Sequence, residues 1–249
     1  QFRKELAQAK SLTVSASESL KRNDPEGALE DARAALELWK ENPVAFYLMG
    51  LAWEQKGAWS QARTNLERAL ELKADYPEAH NALGHVLWQL GNPRGAVEEF
   101  ERALALAPDF AEAHYNRGLA AARSGQLERA VSEFREALDL KPDYHEARLS
   151  LGLALQQKGD AEAAIVQFRE AVRVRPAFAE AHNNLGLALL EKGELGEAVG
   201  EFREALRLKS DYAEAHYNLG LALRQRGDRE AAAAEFQRAR ELNPALPPP

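Results

Sequence analysis

The sequence contains no cysteine. The chain can therefore form no disulfide, coordinate no metal through thiolates and use no cysteine nucleophile, and its redox compartment is left open. The sequence also lacks a phosphate-binding glycine loop and the strand-to-helix elbow of a serine nucleophile. These absences predict a chain that is not an enzyme and that holds no cofactor.

Two further absences restrict the partners. No apolar run approaches the roughly 18 residues that a membrane-spanning helix needs. Basic residues are in deficit, with 32 Lys and Arg against 39 Asp and Glu and a net charge of −7, so the chain lacks the basic surface that binds nucleic acid or anionic lipid. We therefore expect no nucleic-acid partner and no membrane insertion, and we favour a neutral or basic protein or peptide.

The sequence does contain an internal repeat. Shifting it by 34 residues superimposes six glycines without an insertion or deletion, namely Gly50, Gly84, Gly118, Gly152, Gly186 and Gly220. A fixed period of this length is typical of a stacked array of helical units. The predicted organisation is a helical extension at 1–8, a divergent first copy at 9–42, regular copies at 43–76, 77–110, 111–144, 145–178, 179–212 and 213–246, and a Pro-rich tail or linker at 247–249.

Each regular copy, with positions numbered from 1 to 34, has the pattern of two helices. Hydrophobic residues make up 45% of the chain and aromatic residues only 8%, which favours an all-α fold packed through alanine. Position 8 is glycine and positions 20 and 27 are alanine in every regular copy, so the two helices can approach closely. Glycine at position 15 suits the left-handed conformation that ends a helix, and an N-cap is predicted to follow at Asn92, Asp160 and Asp228.

These residues resemble the tetratricopeptide repeat (TPR) family. The resemblance rests on Gly at position 8, Ala at 20 and 27, a large apolar residue at 24 and often Pro at 32. It implies an all-α, right-handed α-solenoid of antiparallel helix pairs, with seven units of 34 residues and a concave groove, lined by the first helix of each pair, that binds peptides or protein segments. Position 4, usually Trp in the family, departs from the pattern as His80, His114, Arg148, His182 and His216.

One face of each first helix is the predicted binding surface. At 100° per residue, positions 4, 7, 8 and 11 form one stripe that packs the repeat, and positions 2, 5, 6, 9, 12 and 13 form a nearly opposite stripe. The second stripe carries leucine, tyrosine and asparagine, which suit the side chains and backbone of an extended peptide. The predicted groove residues are Tyr47, Leu51, Asn81, His85, Trp88, Tyr115, Asn116, Leu119, Leu153, Asn183, Asn184, Leu187, Tyr217, Asn218 and Leu221.

Other interpretations of these residues stay open. The leucines at position 9 could instead pack against the neighbouring helix. The asparagines at position 6 resemble part of the asparagine ladder of O-GlcNAc transferase TPR arrays, and a groove role is favoured because a buried Asn without partners is costly. His85, together with Asn81, Trp88, Tyr115 and Asn116, is the predicted specificity pocket.

Acidic residues recur at the start of the first helices. Glutamate occupies position 2 as Glu78, Glu112, Glu146, Glu180 and Glu214. Aspartate lies three residues before four of them, as Asp75, Asp109, Asp143 and Asp211. This spacing favours a capping box over an acidic groove. No basic residue occupies position 5, 6 or 9 of a regular copy, which argues against the carboxylate clamp by which TPR domains of heat-shock cochaperones bind carboxy-terminal peptides.

The repeated histidines at position 4 do not predict a metal site. Neighbouring repeats stand about 8–10 Å apart, whereas a zinc–nitrogen bond is about 2 Å. We therefore expect these histidines to pack or to lie at an exposed helix start.

The preferred function is a non-catalytic protein–protein interaction scaffold that binds an extended segment. The alternative is the substrate-recognition arm of a larger enzyme, such as a glycosyltransferase, cut off at its Pro-rich end. A third interpretation is self-association, since TPR arrays usually end in a cap helix and an uncapped last repeat would expose apolar surface. The chain starts at Gln1 rather than Met, which indicates a fragment or a processed form, and a cytoplasmic location is slightly favoured.

Overall fold

The computed structural model describes residues 2–248. These residues contain no strand and form the helices α1 (Phe2–Lys21), α2 (Pro25–Leu38), α3 (Pro43–Gln55), α4 (Trp59–Leu72), α5 (Pro77–Gln89), α6 (Pro93–Leu106), α7 (Ala111–Arg123), α8 (Leu127–Leu140), α9 (His145–Gln157), α10 (Ala161–Val174), α11 (Ala179–Lys192), α12 (Leu195–Leu208), α13 (Ala213–Arg226) and α14 (Arg229–Leu242). Gln1 and Pro249, the outer ends of the predicted extension and tail, lie outside the described residues. Of the helices described, none is long and apolar enough to cross a bilayer.

The helices pack in successive pairs within each of two compact units, residues 1–120 and 121–249. In the first unit α1 packs against α2, α3 against α4 and α5 against α6, and α2 and α4 each contact the pair that follows. In the second unit the pairs are α9 with α10, α11 with α12 and α13 with α14, and α8, α10 and α12 each contact the next pair. This confirms the predicted all-α repeat fold of helix pairs.

Alanine and one large apolar residue per repeat form the core. The alanines at position 3 are completely buried in every regular copy, as Ala45, Ala79, Ala113, Ala147, Ala181 and Ala215. At position 24, Phe168 and Phe202 fill the space between the two helices of a pair and are completely buried. Burying each such ring contributes about 1.5–3 kcal/mol.

Glycine at position 8 is where the two helices of a pair meet. A Cβ atom at Gly186 would lie 2.7 Å from the ring of Phe202, and one at Gly152 would lie 2.4 Å from the ring of Phe168. Carbon atoms in van der Waals contact are about 3.5–4 Å apart. Any side chain at position 8 would therefore push the position-24 ring out of the core.

The turn inside each pair needs a residue in the left-handed region. The glycines at position 15 have φ between 69° and 99°, where a Cβ atom would be strained. In the first copy the same place is taken by Asn23 with φ of 59°, since asparagine tolerates this conformation better than other residues with a side chain. The predicted role of position 15 is thus confirmed.

The three predicted N-cap residues are confirmed, and two of them cap their helix through the side chain. The side chains of Asn92 and Asp160 each accept a hydrogen bond of 3.1 Å from the backbone N–H three residues later. Asp228 is the N-cap residue of α14 as predicted, but its side chain makes no cap hydrogen bond, and its carboxylate instead accepts from the guanidinium of Arg226.

The two terminal repeats carry polar or small residues on the face that would meet a further repeat. In the first copy, positions 3 and 10 are the exposed Ser11 and Glu18. In the next copy the same two positions are Ala45 and Ala52, which are buried against α2. In the last copy, positions 21 and 28 are the exposed Ala233 and Arg240, where the three preceding copies have valine or isoleucine and leucine or valine.

The apolar surface expected on the last repeat is contributed by small side chains, such as the exposed Ala233, and not by large ones. No residue of α13 or α14 is among the exposed large apolar side chains of the described chain. The physical reason is that a methyl group and a guanidinium replace the branched side chains that would otherwise bind a neighbour.

Replacing Gly186 by alanine is expected to lower the free energy of unfolding by about 1–3 kcal/mol, the usual effect of overfilling a core. Gly200 provides the matched control, because it lies in α12 with open space where a Cβ atom would be added. Gly200→Ala should raise the free energy of unfolding by about 0.5–1 kcal/mol through helix propensity. Urea denaturation followed by circular dichroism measures both, and a stabilising Gly186→Ala would contradict the close approach of the two helices.

Candidate functional site

The predicted groove residues fall into two sets, one in each unit. The first lining belongs to α3, α5 and the part of α7 before residue 121, and consists of Tyr47, Leu51, Asn81, His85, Trp88, Tyr115, Asn116 and Leu119. The second lining belongs to α9, α11 and α13, and consists of Leu153, Asn183, Asn184, Leu187, Tyr217, Asn218 and Leu221. Each lining is described by itself.

The leucines at position 9 are neither fully packed nor fully free. Leu153 is 36% exposed, and Leu119, Leu187 and Leu221 are half-buried. Leu51 packs against the core formed by α4 to α6. The leucine side chains at position 9 thus contribute in part to packing, and part of their apolar surface stays exposed.

The two tyrosine rings with resolved contacts pack within their own repeats. Tyr47 lies 5.0 Å from Tyr76 between ring centroids, and Tyr217 lies 5.5 Å from Phe236. Burial raises the pKa of Tyr47 to about 12, and the neighbouring carboxylates of Glu78 and Glu54 add to the shift. The phenol therefore stays neutral at physiological pH, and these rings act as walls of the linings rather than as free side chains.

Asparagines of successive repeats hydrogen-bond to each other. Asn116 donates from Nδ2 to Oδ1 of Asn81 at 2.9 Å, and Asn218 donates in the same way to Asn183 at 3.0 Å. Each bond joins position 6 of one repeat to position 5 of the repeat before it. The sequence analysis named all four residues but did not predict that they pair.

Asn184 lacks such a partner. The residue at position 5 of the preceding repeat is Leu149, which cannot hydrogen-bond through its side chain. The carboxamide of Asn184 makes no hydrogen bond to any residue in the described range 2–248 and is half-buried on α11. It retains its full capacity to donate to and accept from a peptide backbone.

His85 has partners outside the predicted pocket. Its Nδ1 lies 2.7 Å from Oε1 of Glu54 at the end of α3, and its Nε2 lies 3.2 Å from Nε2 of Gln89. Its ring meets Trp59 edge to face at 6.1 Å between centroids. Sequence reasoning missed Glu54, although this residue occupies position 12 on the same predicted stripe.

The capping-box interpretation of the position-2 glutamates is wrong where the caps are described. The N-caps of α5, α9 and α13 are Tyr76, Tyr144 and Tyr212, and no side chain hydrogen-bonds at these caps. The helices begin one residue later than the capping box requires, so the aspartate lies at the residue before the cap. Glu78, Glu146 and Glu214 are therefore not held in a capping box at these helix starts.

The position-4 histidines form ion pairs inside the repeats. His80, His182 and His216 each lie within 2.5–2.7 Å of a glutamate 19 residues later through Nδ1. Through Nε2 each lies 3.0–3.2 Å from the backbone carbonyl six residues earlier. His80 and His182 are buried, so the expected exposed helix start does not apply to them.

The sequence carries a signal for these pairs that reasoning from single positions missed. Glutamate at position 23 occurs in the same four copies that have histidine at position 4, as Glu99, Glu133, Glu201 and Glu235. Where position 4 is Arg148, position 23 is Gln167. Arg148 donates to the carbonyl of Pro142 at 2.7 Å, but its buried Nε atom has no partner.

Both ring nitrogens of His80 and His182 face acceptors, which favours the protonated ring. The hydrogen bond to Glu99 raises the pKa of His80 against the opposing effect of burial. For His182 burial lowers the pKa, but the hydrogen bonds to Glu201 and to the carbonyl of Pro176 outweigh it, so the pKa is raised.

These pairs make stability depend on pH. A raised histidine pKa stabilises the fold fully below the unfolded value of about 6.5, and the contribution is lost as the pH rises through the folded value. We expect the free energy of unfolding to fall as the pH rises from about 6.5 through the raised folded-state pKa values of His80 and His182. In the double variant Glu99→Gln, Glu201→Gln, the free energy of unfolding at low pH should be lower by about 1–3 kcal/mol per pair. This free energy should also change less with pH than that of the wild type. Urea denaturation across pH tests this, and parallel curves for the two proteins would refute it.

Comparison with known families identifies the repeat. A family model described as a tetratricopeptide repeat matches residues 81–145 and 149–213, which is more than half of the chain. A TPR repeat model matches residues 55–91, and a further tetratricopeptide repeat model matches residues 213–246. No curated protein matches the chain in sequence.

Solved structures share the fold. The protein pilF of Pseudomonas aeruginosa is 24% identical, with 82% of this chain and 93% of that chain covered and a TM-score of 0.75. YrrB, a TPR protein with an unusual peptide-binding site, is 23% identical, with 80% and 100% covered and a TM-score of 0.60. MamA of Desulfovibrio magneticus RS-1 is 28% identical, with 68% and 96% covered and a TM-score of 0.57.

Proposed function

The chain belongs to the tetratricopeptide repeat family, whose members are protein-interaction scaffolds, and from this premise we propose that it binds an extended segment of a protein partner along its linings. The segment contacts the first helices of successive repeats. No chemistry is assigned to the chain, since the fold is typically that of a non-catalytic scaffold.

The observation that carries this proposal is the incomplete burial of the position-9 leucines. The alanine one residue later in the same helices is buried, with Ala154, Ala188 and Ala222 at most 3% exposed, whereas Leu153 remains 36% exposed. A bound apolar side chain would cover this surface, and covering a leucine is worth about 1.5–3 kcal/mol. After the cost of association, a few such contacts support an affinity of about micromolar.

The asparagines supply the polar half of the recognition. Within the pair of Asn81 and Asn116, one N–H and one oxygen are used, so donors remain on Asn81 and an acceptor remains on Asn116. A peptide backbone offers a carbonyl and an N–H at each residue, which complements this set. Asn184 adds a complete carboxamide in the second lining. The peptide-binding site of the similar YrrB is consistent with this use of the fold.

The leucine surface can be tested with peptides selected from a random linear library on the wild-type chain. The lining variant combines Leu119→Ser, Leu153→Ser and Leu187→Ser. The control variant combines three exposed apolar residues of second helices, Leu106→Ser, Leu140→Ser and Val166→Ser. We expect the lining variant to weaken binding about 10–100-fold, as loss of one to two leucine contacts predicts, and the control to change it less than about twofold.

Isothermal titration calorimetry measures these affinities, and circular dichroism establishes that both variants stay helical. Equal affinities of the lining variant and the wild type for the selected peptides would refute the proposal. So would a selection that yields no peptide above background.

Substitution of the unpaired Asn184 distinguishes an effect on peptide binding from an effect on stability. Asn184→Leu places a leucine beside Leu149 and removes an unpartnered amide, so we expect stability to rise by about 0.5–1 kcal/mol while peptide affinity falls. Asn218→Leu is the control, because it leaves the buried Asn183 without its donor and should lower stability by about 1–3 kcal/mol. Thermal unfolding and peptide titration of both variants decide this, and unchanged affinity of Asn184→Leu would count against a role in binding.

A further inference from the structure

We propose that a cavity between α13 and α14 binds an acidic side chain of a partner protein, together with an apolar side chain next to it in the partner. The cavity has a volume of about 500 Å³ and is lined by Arg224, Arg229, Ala232, Ala233 and Phe236. None of these residues belongs to either lining. The inference therefore goes beyond the proposed function and does not depend on it.

Two arginines of the cavity carry positive charges that no carboxylate of the described chain neutralises. Arg224 and Arg229 are exposed, and neither guanidinium forms a hydrogen bond or an ion pair with any residue of the range 2–248. The carboxylate of Asp228, the residue before Arg229, accepts from the guanidinium of Arg226 instead. Because arginine stays protonated and has donors but no acceptor, this pair favours a ligand with negative charge.

The acidic residues in the first half of α14 are not part of this cavity. Glu230 lines a neighbouring cavity with Asp228, and Arg229 is common to both cavities. Glu235 lies 2.6 Å from Nδ1 of His216 through Oε2. A ligand carboxylate would therefore find both guanidiniums of the first cavity available.

The arrangement is specific to the repeat of α13 and α14. Arg224 and Arg229 occupy positions 12 and 17, and no other copy has a basic residue at either position. Position 21 is Ala233, where the three preceding copies have valine or isoleucine. A methyl group in place of a branched side chain keeps the space beside Phe236 open.

The lining suits a carboxylate that is followed by an apolar group. Cζ of Arg224 lies 5.5 Å from the centroid of the Phe236 ring, so the ring covers one face of the guanidinium and leaves its N–H edge for an acceptor. Such an edge matches the two oxygens of a carboxylate, which is the anion that proteins carry without modification. Ala232, Ala233 and Phe236 form an apolar wall beside the arginines.

The openness of the cavity favours a protein as the source of the carboxylate. Arg224, Arg229 and Ala233 are all exposed, whereas sites for small molecules bury about 70–90% of the ligand surface. An open cavity holds a free acid poorly. It suits a side chain that the rest of a partner keeps in place.

The first experiment titrates the full chain with the blocked dipeptide acetyl-leucyl-glutamyl methylamide. We expect saturable shifts of the Nε–H signals of Arg224 and Arg229 in NMR spectra. The leucyl-glutaminyl analogue should bind at least about tenfold more weakly, the size of one charge-assisted hydrogen bond. The glycyl-glutamyl analogue should bind at least about threefold more weakly, because the apolar contact is lost. No shift, or equal binding of either analogue, overturns the inference.

Variants of the full chain test the site of binding. Arg224→Gln and Arg229→Gln should each weaken dipeptide binding at least about tenfold. Arg240→Gln removes an exposed arginine of α14 outside the cavity and should change binding less than about twofold. Circular dichroism establishes that the variants stay helical. Equal losses in all three variants would show that binding follows net charge alone and would overturn the site.

Other occupants of the cavity predict other results. Tighter binding of 4-methylpentanoate than of the dipeptide would assign the cavity to a free acid, and tighter binding of the leucyl-phosphoseryl analogue would assign it to a phosphorylated partner. A dimer in sedimentation velocity that Arg224→Gln dissociates would make a second copy the occupant. Each of these results overturns the inference and leaves the proposed function standing, because the residues of the cavity lie outside the linings.

Discussion

The structure depends on how closely two helices can approach within each repeat. Glycine at position 8 lets the ring at position 24 lie where a side chain would otherwise be, at 2.4–2.7 Å from the absent Cβ atoms of Gly152 and Gly186. The alanines at positions 3, 20 and 27 set the remaining contacts and are buried throughout the regular copies. Since small residues do most of the packing, the larger side chains of the first helices are not all needed in the core, and some of them stay available to a partner.

The linings contain two kinds of side chain, which differ in whether contacts within the described chain hold them in place. Tyr47 and Tyr217 are fixed against aromatic residues of their own repeats, and the paired asparagines are fixed against each other across repeats. Fixed groups lose little further freedom when a ligand binds, which favours affinity at a given contact area. Leu153, Asn184 and Glu54 differ, because each leaves an apolar surface or a polar atom for which the described chain supplies no partner.

The fold could be predicted from the sequence because a period repeats the same evidence in every copy. Gly193 and Gly227 end their helices in the left-handed region, as their position predicted. What the period could not predict was pairing between side chains. Asn81 and Asn116 were placed in one predicted pocket without a hydrogen bond between them, and His85 was grouped with them rather than with Glu54. Such pairs depend on distances between different helices, which a list of positions on one helix does not contain.

The histidine–glutamate pairs give the repeats unequal sensitivity to alkali. Copies built around His80 and His182 each hold a proton that their packing uses, while the copy built around Arg148 and Gln167 has no such pair. Contacts in repeat arrays are made mainly with immediate neighbours, so each unit can loosen without the whole chain unfolding. As the pH rises, amide hydrogens in the copies that contain the histidine–glutamate pairs would exchange sooner. Amide hydrogens in the copy that contains Arg148 would keep their protection.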